Sequence, residues 1–344
     1  MANPKGRGAG LNPKNRFEPF FVDKEAAGSV ATEFLIDSSR SVLTANDSPD
    51  IGFRFSLNPY RGCEHGCVYC YARPSHEYLG WSAGIDFESR ILIKTDAPEL
   101  LDQALSRPSW QPQIVALSGN TDCYQPVEKQ LGLTRRCLAV FRDHRNPVGV
   151  ITKSHLVCRD IDLLSDLAAD NLAAVTISVT TLRPELATCM EPRASGPGGR
   201  LKAIEQLAAA GIPVGVNIAP LIPGLNDEEI PALLRACRDR GAGWAGYILV
   251  RLPGPVLPIF VDWLRRHYPD RSDKVLNRLR AMREGGLSDP RFGTRMSGIG
   301  KQAKLLADFF SIHRNRLGFE RAPTLATDLF RRNTSERQLE LPFA

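Results

Sequence analysis

Three closely spaced cysteines constrain this chain more than any other feature of its sequence. Cys63, Cys67 and Cys70 follow a C-x3-C-x2-C spacing. Gly62 and Gly66 lie between them or directly before them and allow the tight loop that this spacing requires. Three thiolates in such a loop can surround one cuboidal iron–sulfur cluster and leave one of its irons without a protein ligand. An open iron can bind a substrate or cofactor, which a fully ligated electron carrier cannot do through that atom.

A zinc site is the alternative use of the same cysteines, with His65 or a distant side chain as the fourth ligand. Structural zinc sites usually combine two paired ligand groups, and the sequence has no second C-x2-C or H-x3-H pair. A disulfide framework is a poor fit for a cytosolic chain of 344 residues. The other cysteines show no clustered spacing, so we expect no second cluster: Cys123, Cys137, Cys158, Cys189 and Cys237.

Short β-branched runs alternate with amphipathic helical patterns through the middle of the chain. The patterns predict strands at 53–57, 114–117, 148–152, 174–179, 214–219 and 247–252. They predict helices at 97–106, 128–143, 160–169, 199–210, 227–240 and 256–267, with two more at 273–284 and 299–314. This alternation indicates an α/β fold with a parallel sheet, either a partial (β/α)6 TIM-like barrel or a doubly wound sheet. In both, active-site residues lie at the carboxyl ends of the strands.

Basic residues are concentrated at the two ends of the chain. We expect a flexible basic tail at 1–30, a core at 31–270, and a basic C-terminal helical extension and tail at 271–344. Residues 265–316 contain 13 Lys and Arg against 5 Asp and Glu, although the net charge of the whole chain is only +6. Such clusters can contact nucleic acid, and they can equally be a solvated surface. No membrane segment and no secretion signal is visible, so we expect a cytoplasmic protein without a membrane partner.

The cysteine segment, NPYRGCEHGCVYCYARP at 58–74, resembles the signature of the radical S-adenosylmethionine (SAM) superfamily. In that signature an aromatic residue precedes the third cysteine, and Tyr69 has this position here. The resemblance implies a full or partial (β/α) barrel and a 4Fe–4S cluster whose open iron chelates SAM. It further implies reductive cleavage of SAM to methionine and a 5′-deoxyadenosyl radical, which abstracts hydrogen from a substrate. An electron donor such as flavodoxin or ferredoxin is implied as a partner.

Two further segments resemble the spore photoproduct lyase-like branch, also described as DNA repair photolyase-like, and within it an uncharacterised bacterial group. They are the GRGA…NPKNRFE string at 6–18 and the TDCYQP motif at 121–126. The resemblance covers most of residues 5–320 and implies a lyase-like or modifying activity on nucleic acid. One departure bears on the reaction, because Gly119 stands where the lyase has its hydrogen-donating cysteine. Cys123, four positions on, is either a donor in a differently shaped loop or a buried, inert thiol.

The resemblance also assigns SAM contacts to side chains near the ends of successive strands. Thr121 and Asp122 would bind the amino group, and Lys153 would pair with the carboxylate. Ordinary turn residues and a solvated lysine are the alternatives. The complete expected cofactor-binding set is Tyr69, Thr121, Asp122, Lys153, Ser178, Arg200 and Asn217.

Three functions remain open from the sequence. The first is a radical SAM enzyme that repairs or modifies nucleic acid. The second is a radical SAM enzyme that acts on a protein or a small metabolite. The third is a zinc-stabilised nucleic-acid-binding protein without catalysis, which metal and sulfide analysis would distinguish from the other two.

Overall fold

The computed structural model describes residues 5–18 and 30–332 of the chain. The strands are β1 (Glu33–Ile36), β2 (Leu43–Ala45), β3 (Phe55–Leu57), β4 (Tyr60–Arg61), β5 (Arg90–Ile93), β6 (Val115–Leu117), β7 (Val148–Thr152), β8 (Ala173–Ser178), β9 (Val214–Leu221) and β10 (Trp244–Leu249). The α-helices are α1 (Ile85–Ser89), α2 (Ala97–Ser106), α3 (Glu128–Leu131), α4 (Leu133–His144), α5 (Ile161–Ala169), α6 (Pro184–Met190), α7 (Pro197–Ala209), α8 (Ile230–Arg238), α9 (Val256–His267), α10 (Pro269–Ala281) and α11 (Gly300–Arg316). Short 3₁₀ helices lie at Arg73–Leu79, His155–Asp160 and Asp227–Glu229.

A seven-stranded sheet forms the centre of the molecule, in the order β10-β9-β8-β7-β6-β3-β2. Six neighbouring strands are parallel and follow one another in chain order, while β2 pairs antiparallel with β3 at one edge. A doubly wound sheet would reverse its strand order at a switch point, and this sheet does not. In the described part of the chain β2 and β10 remain edge strands, so the barrel is not closed. The prediction of a partial (β/α)6 barrel is therefore confirmed.

The main core lies between this sheet and its helices. Val115 and Leu117 of β6 are fully buried, as are Val175 of β8 and Leu164 of α5. Strands covered on both sides carry apolar residues throughout, which is why their runs could be recognised in the sequence. The predicted helix at 128–143 is divided into α3 and α4, because Gly132 between them adopts a left-handed φ of 63°.

A second, three-stranded sheet was not predicted. It has the order β1-β5-β4, with β1 parallel and β4 antiparallel to β5. β4 has only two residues, and most of β1 is exposed, so neither carries a clear apolar pattern. This small sheet frames the cysteine loop, since β4 leads directly into Cys63.

The N-terminal residues that the structure describes differ from the predicted flexible tail. Gly8 and Ala9 donate backbone hydrogen bonds of 2.9 and 2.8 Å to the carboxylate of Glu88. Asn15 donates to the carbonyl of Glu77 at 2.9 Å. Ala9 and Asn15 are buried, so this segment packs against the body of the molecule despite its Gly- and Lys-rich composition.

The C-terminal residues cross the amino-terminal edge of the large sheet. The backbone N–H of Glu320 donates to Gly243, before β10, and that of Ala326 donates to Asn171, before β8. Arg331 donates to His144, at the end of α4. After α11 the described residues of the extension form no further helix. No helix in the described ranges is long and apolar enough to cross a membrane.

Candidate functional site

The cysteine loop lies between β4 and the first 3₁₀ helix. Cys63 and Cys67 are buried and Cys70 is half-buried. The backbone N–H of Cys63 donates to Phe87 at 3.0 Å, and that of Cys70 donates to Cys67 at 3.2 Å. Burial raises the pKa of the Cys63 thiol, and the neighbouring Asp122, Cys67 and Cys70 raise it further. Burial likewise raises the pKa of Cys67 to about 12.

Three cysteine thiolates in one loop are a donor set that can hold a 4Fe–4S cluster and leave one iron without a protein ligand. Among the described residues, no group of three His, Cys, Asp or Glu side chains is arranged to hold a single metal ion.

The N-terminal segment packs directly against the cysteine loop. Gly66 adopts a φ of 68°, and its carbonyl oxygen would lie 1.8 Å from a Cβ placed on Gly8. A side chain at position 8 therefore cannot be accommodated unless one of the two segments moves. Close contact between the two backbones therefore explains the glycine at position 8, the second glycine of the GRGA string.

A buried ion pair also supports the cysteine loop. Arg73 and Glu88 are fully buried and pair at 2.5 Å. Arg73 also donates from Nε and Nη2 to the carbonyl of Cys67, at 3.0 and 2.8 Å. Because Glu88 also accepts from Gly8 and Ala9, one carboxylate connects the N-terminal segment to the loop. Sequence reasoning assigned no role to either residue, although Arg73 lies within the cysteine segment at 58–74.

The end of β6 is connected to the end of β7 through Asp122. Its carboxylate accepts from the Thr152 hydroxyl at 2.7 Å and from the backbone N–H of Lys153 at 3.0 Å. Thr121 donates its hydroxyl to the carbonyl of Tyr60 at 2.9 Å. Both side chains that were predicted to bind an amino group are thus engaged within the protein. In this structure they fix the relative positions of strand ends.

Lys153 extends from the end of β7 toward the cysteine loop. Its Nζ donates to the Tyr69 hydroxyl at 3.2 Å and lies 3.7 Å from the carboxylate of Glu191. Burial alone would lower the pKa of Lys153, but Cys67, Tyr69 and Glu191 together raise it well above its usual value. Lys153 is therefore a half-buried cation within reach of the loop, as a carboxylate-binding group requires.

Glu191 connects these groups, and sequence reasoning assigned no role to it. Its carboxylate accepts from the hydroxyls of Thr180, at 2.9 Å, and of Tyr69. Burial opposes its ionisation, but Arg200 and Lys153 outweigh that effect and lower the pKa of Glu191 to about 2. The E-P-R sequence at 191–193, after β8, was the available signal.

Arg200 has a different environment from the predicted one. Its Nε donates to the Ser195 carbonyl at 2.7 Å, and its Nη1 donates to the Ser178 carbonyl at 3.1 Å. Its Nη2 pairs with Glu191. With all three nitrogens engaged, the guanidinium positions Glu191, and in this structure it presents no free edge to a cofactor.

Ser178 and Asn217 are neighbours in the sheet. They are paired in register between β8 and β9, and the backbone N–H of Val179 donates to the Asn217 carbonyl at 3.0 Å. Ser178 is buried and Asn217 is half-buried. The structure therefore brings the ends of β7, β8 and β9 together on the side where Lys153 meets Tyr69.

Cys123 lies in the main hydrophobic core. Its side chain is fully buried and its Sγ is 4.0 Å from the Leu117 carbonyl. Burial raises the pKa of its thiol well above the usual value, which favours the inert alternative over a hydrogen donor. Gly119, by contrast, lies at the open end of the sheet, where its carbonyl accepts from the exposed Tyr71.

Comparison with known proteins identifies a family over the middle of the chain. Residues 57–237 match the family model of the radical SAM superfamily. An uncharacterised protein of Mycobacterium tuberculosis is 36% identical over 220 residues, which are 63% of this chain and 65% of that protein. The chain thus spans slightly less than two thirds of the length of these curated relatives. An uncharacterised protein of Methanocaldococcus jannaschii is 29% identical over 178 residues, which cover 52% of this chain and 64% of that protein.

Among solved structures the chain has the fold of spore photoproduct lyase. A structure of that lyase complexed with dinucleoside spore photoproduct matches with a TM-score of 0.56 and 16% identity, covering 83% of this chain and 79% of the other. A mutant with bound AdoMet and the same dinucleoside also matches with a TM-score of 0.56, at 16% identity, covering 83% and 78%. The likeness concerns the fold and extends beyond the segment that the family model matches.

Proposed function

The chain belongs to the radical SAM superfamily, and we propose that it holds a 4Fe–4S cluster on Cys63, Cys67 and Cys70 and acts with SAM on nucleic acid. The observation that carries the proposal is a single loop with all three cysteines, beside which the Lys153 ammonium donates to the Tyr69 hydroxyl. A reduced cluster held by these cysteines would supply the electron for cleavage of SAM to methionine and a 5′-deoxyadenosyl radical. A substrate would enter at the carboxyl ends of the strands, where the cysteine loop lies.

The residues around the loop have complementary tasks in this proposal. Lys153 supplies a positive charge for the SAM carboxylate, and Glu191 keeps that lysine charged and directed toward Tyr69. Ser178, at the end of β8, and Asn217, its partner in register on β9, offer hydrogen-bonding groups. Asp122 and Arg200 act indirectly, because their hydrogen bonds fix the strand ends and Glu191.

Nucleic acid is the substrate class that we favour. The lyase with the same fold binds a dinucleoside photoproduct, and the C-terminal part of this chain is strongly basic. Gly119 and the burial of Cys123 leave no thiol at the open end of β6. We therefore propose a repair or modification reaction that does not depend on hydrogen return from a cysteine at that place.

Reductive SAM cleavage tests the proposal. Protein purified without oxygen and reconstituted with iron and sulfide would receive dithionite and SAM, and 5′-deoxyadenosine would be followed by chromatography. We expect the wild type to bind iron and labile sulfide and to form 5′-deoxyadenosine. Cys67→Ala should lose both properties, whereas Cys237→Ala, a buried cysteine of α8, should retain them. Bound zinc without labile sulfide in the wild type would refute the proposal.

A further inference from the structure

Arginines and exposed aromatic rings meet beside the cysteine loop, apart from the residues discussed above. Tyr71 comes from the loop itself, Arg251 follows β10, and the rest come from the segment between α10 and α11. That segment is fixed to the end of β10, where Leu249 donates its backbone N–H to the Met296 carbonyl at 2.8 Å. We call the set the arginine–aromatic surface: Tyr71, Arg251, Arg283, Phe292 and Arg295.

Arg251 stacks on Tyr71. Its guanidinium carbon lies 5.3 Å from the centre of the tyrosine ring, and 46% of Tyr71 is exposed. No described residue forms a hydrogen bond or an ion pair with the Arg251 guanidinium, although the side chain is only partly exposed. Because Tyr71 directly follows Cys70, this unpaired cation lies next to the proposed cluster site.

Arg283 is buried and only partly satisfied. It is 3% exposed, and its Nη2 donates to the carbonyls of Val250 at 2.7 Å and Arg295 at 3.3 Å. Its Nε and Nη1 have no hydrogen-bond partner among the described residues. A buried guanidinium with unpaired N–H groups is unfavourable, so this position calls for an additional acceptor. Burial lowers the pKa of the Arg283 guanidinium, and Asp289 partly opposes this effect.

Arg295 and Phe292 repeat the stacked arrangement. The guanidinium carbon of Arg295 lies 4.4 Å from the centre of the Phe292 ring, and 56% of Phe292 is exposed. Arg295 pairs with Asp50, which also accepts from the backbone N–H of Gly293 at 2.6 Å. Among the described residues, a carboxylate thus forms an ion pair with Arg295 but not with Arg251 or Arg283. The surface as a whole keeps a positive excess.

We propose that the arginine–aromatic surface binds the phosphodiester backbone and unstacked bases of single-stranded nucleic acid next to the cluster site. Planar guanidinium groups suit phosphate oxygens, and exposed aromatic faces suit unstacked bases. A free anion would use the arginines alone, whereas two exposed rings held beside them fit a ligand that also carries bases. The inference rests on the proposed function and defines where its substrate would bind.

Binding of a fluorescent single strand of about 12 nucleotides tests the inference, at a length within the usual range for such sites. The protein would be the full-length, reconstituted form, and anisotropy would be measured over a range of salt concentrations. We expect Arg251→Gln and Phe292→Ser each to raise the Kd about tenfold, and Arg251→Gln to reduce the salt slope by about one. Arg107→Gln removes an exposed arginine near the amino end of β6, at the opposite edge of the sheet, and should leave the Kd within about twofold.

Two comparisons identify the ligand. A duplex of the same length should bind more weakly than the single strand, because its bases remain stacked. A mononucleotide or inorganic phosphate should compete poorly; if either binds as tightly as the oligonucleotide, the surface is a site for small anions and the inference is wrong. It is equally wrong if the two surface variants bind the strand like wild type. SAM cleavage measured in the same variants separates the two proposals. Arg251→Gln should still form 5′-deoxyadenosine, because the substitution affects only nucleic-acid binding. The absence of 5′-deoxyadenosine with wild type would instead refute the proposed function.

Discussion

Glu191 and Arg200 form an ion pair that is closed off from solvent, with 0% and 2% of their side chains exposed. The same carboxylate receives the Tyr69 hydroxyl and lies 3.7 Å from Lys153. One acid after β8 thereby joins the cysteine loop to the end of β7. Because a buried charge is costly without its partner, this pair is where the site is most sensitive to substitution.

Glu191→Ala should lower the free energy of unfolding by about 3–5 kcal/mol, because it leaves the Arg200 guanidinium buried without its counter-ion. Urea unfolding of the metal-free protein measures the change. Glu228→Ala is the matched control, since that glutamate pairs with Arg271 at 3.4 Å on the surface, 60% exposed, and should cost less than about 1 kcal/mol. Equal losses in the two variants would show that the buried pair contributes no more than a surface one.

Glu191 should also make stability depend on pH. Its pKa falls from 4.5 in the unfolded chain to about 2 in the folded protein, so the stabilisation is fully present above pH 4.5 and is lost as the pH falls toward 2. We expect wild type to lose on the order of 2 kcal/mol more than Glu191→Gln between about pH 6 and about pH 3. Thermal unfolding of both metal-free proteins over this range is the measurement. If the stability of wild type and of Glu191→Gln changed equally with pH, the lowered pKa assigned to Glu191 would be wrong.

Lys153→Met should weaken SAM binding by about tenfold or more, because the variant removes the cation that we assign to the SAM carboxylate. Calorimetry with reconstituted protein measures the Kd. Lys129→Met removes an exposed lysine of α3 and should bind SAM like wild type. The assignment fails if both variants retain the wild-type Kd while iron content is unchanged.

Gly8→Ala should impair cluster incorporation, because its Cβ would lie 1.8 Å from the Gly66 carbonyl within the cysteine loop. Iron and labile sulfide per protein are the readout, with circular dichroism to show that the fold persists. Gly52→Ala is the control, since a Cβ there meets no atom within 4 Å. Normal iron content in Gly8→Ala would mean that the N-terminal segment does not hold the loop in place.

Cys123→Ala should leave SAM cleavage and product formation unchanged, because the thiol is buried in the core and not at the open end of the sheet. The variant should lose on the order of 1 kcal/mol of stability from reduced packing. The products that Cys123→Ala forms with an oligonucleotide substrate would be separated by chromatography and compared with those of Cys137→Ala. A change of product confined to Cys123→Ala would instead support a hydrogen-donor role.

The sequence by itself determined the alternating fold and the cysteine loop. Strands β6 and β7 lie within one residue of their predicted limits, and α2 and α9 match theirs. These elements bury continuous apolar runs or one apolar face, so local pattern and tertiary environment agree. Cys63, Cys67 and Cys70 lie within eight residues of one another, so the sequence alone places them in one loop.

The tertiary structure alone decided which polar side chains remain free and which are used within the protein. Arg200, Thr121 and Asp122 were all plausible cofactor ligands, yet each is engaged by groups from elsewhere in the chain. Gly8 and Ala9 lie 80 and 79 residues from Glu88, and the Val250 carbonyl that accepts from Arg283 lies 33 residues from it. Hydrogen bonds over such separations depend on how strands and loops pack, and no local pattern encodes them. The burial of Cys123 in the core is likewise decided by the assembled fold.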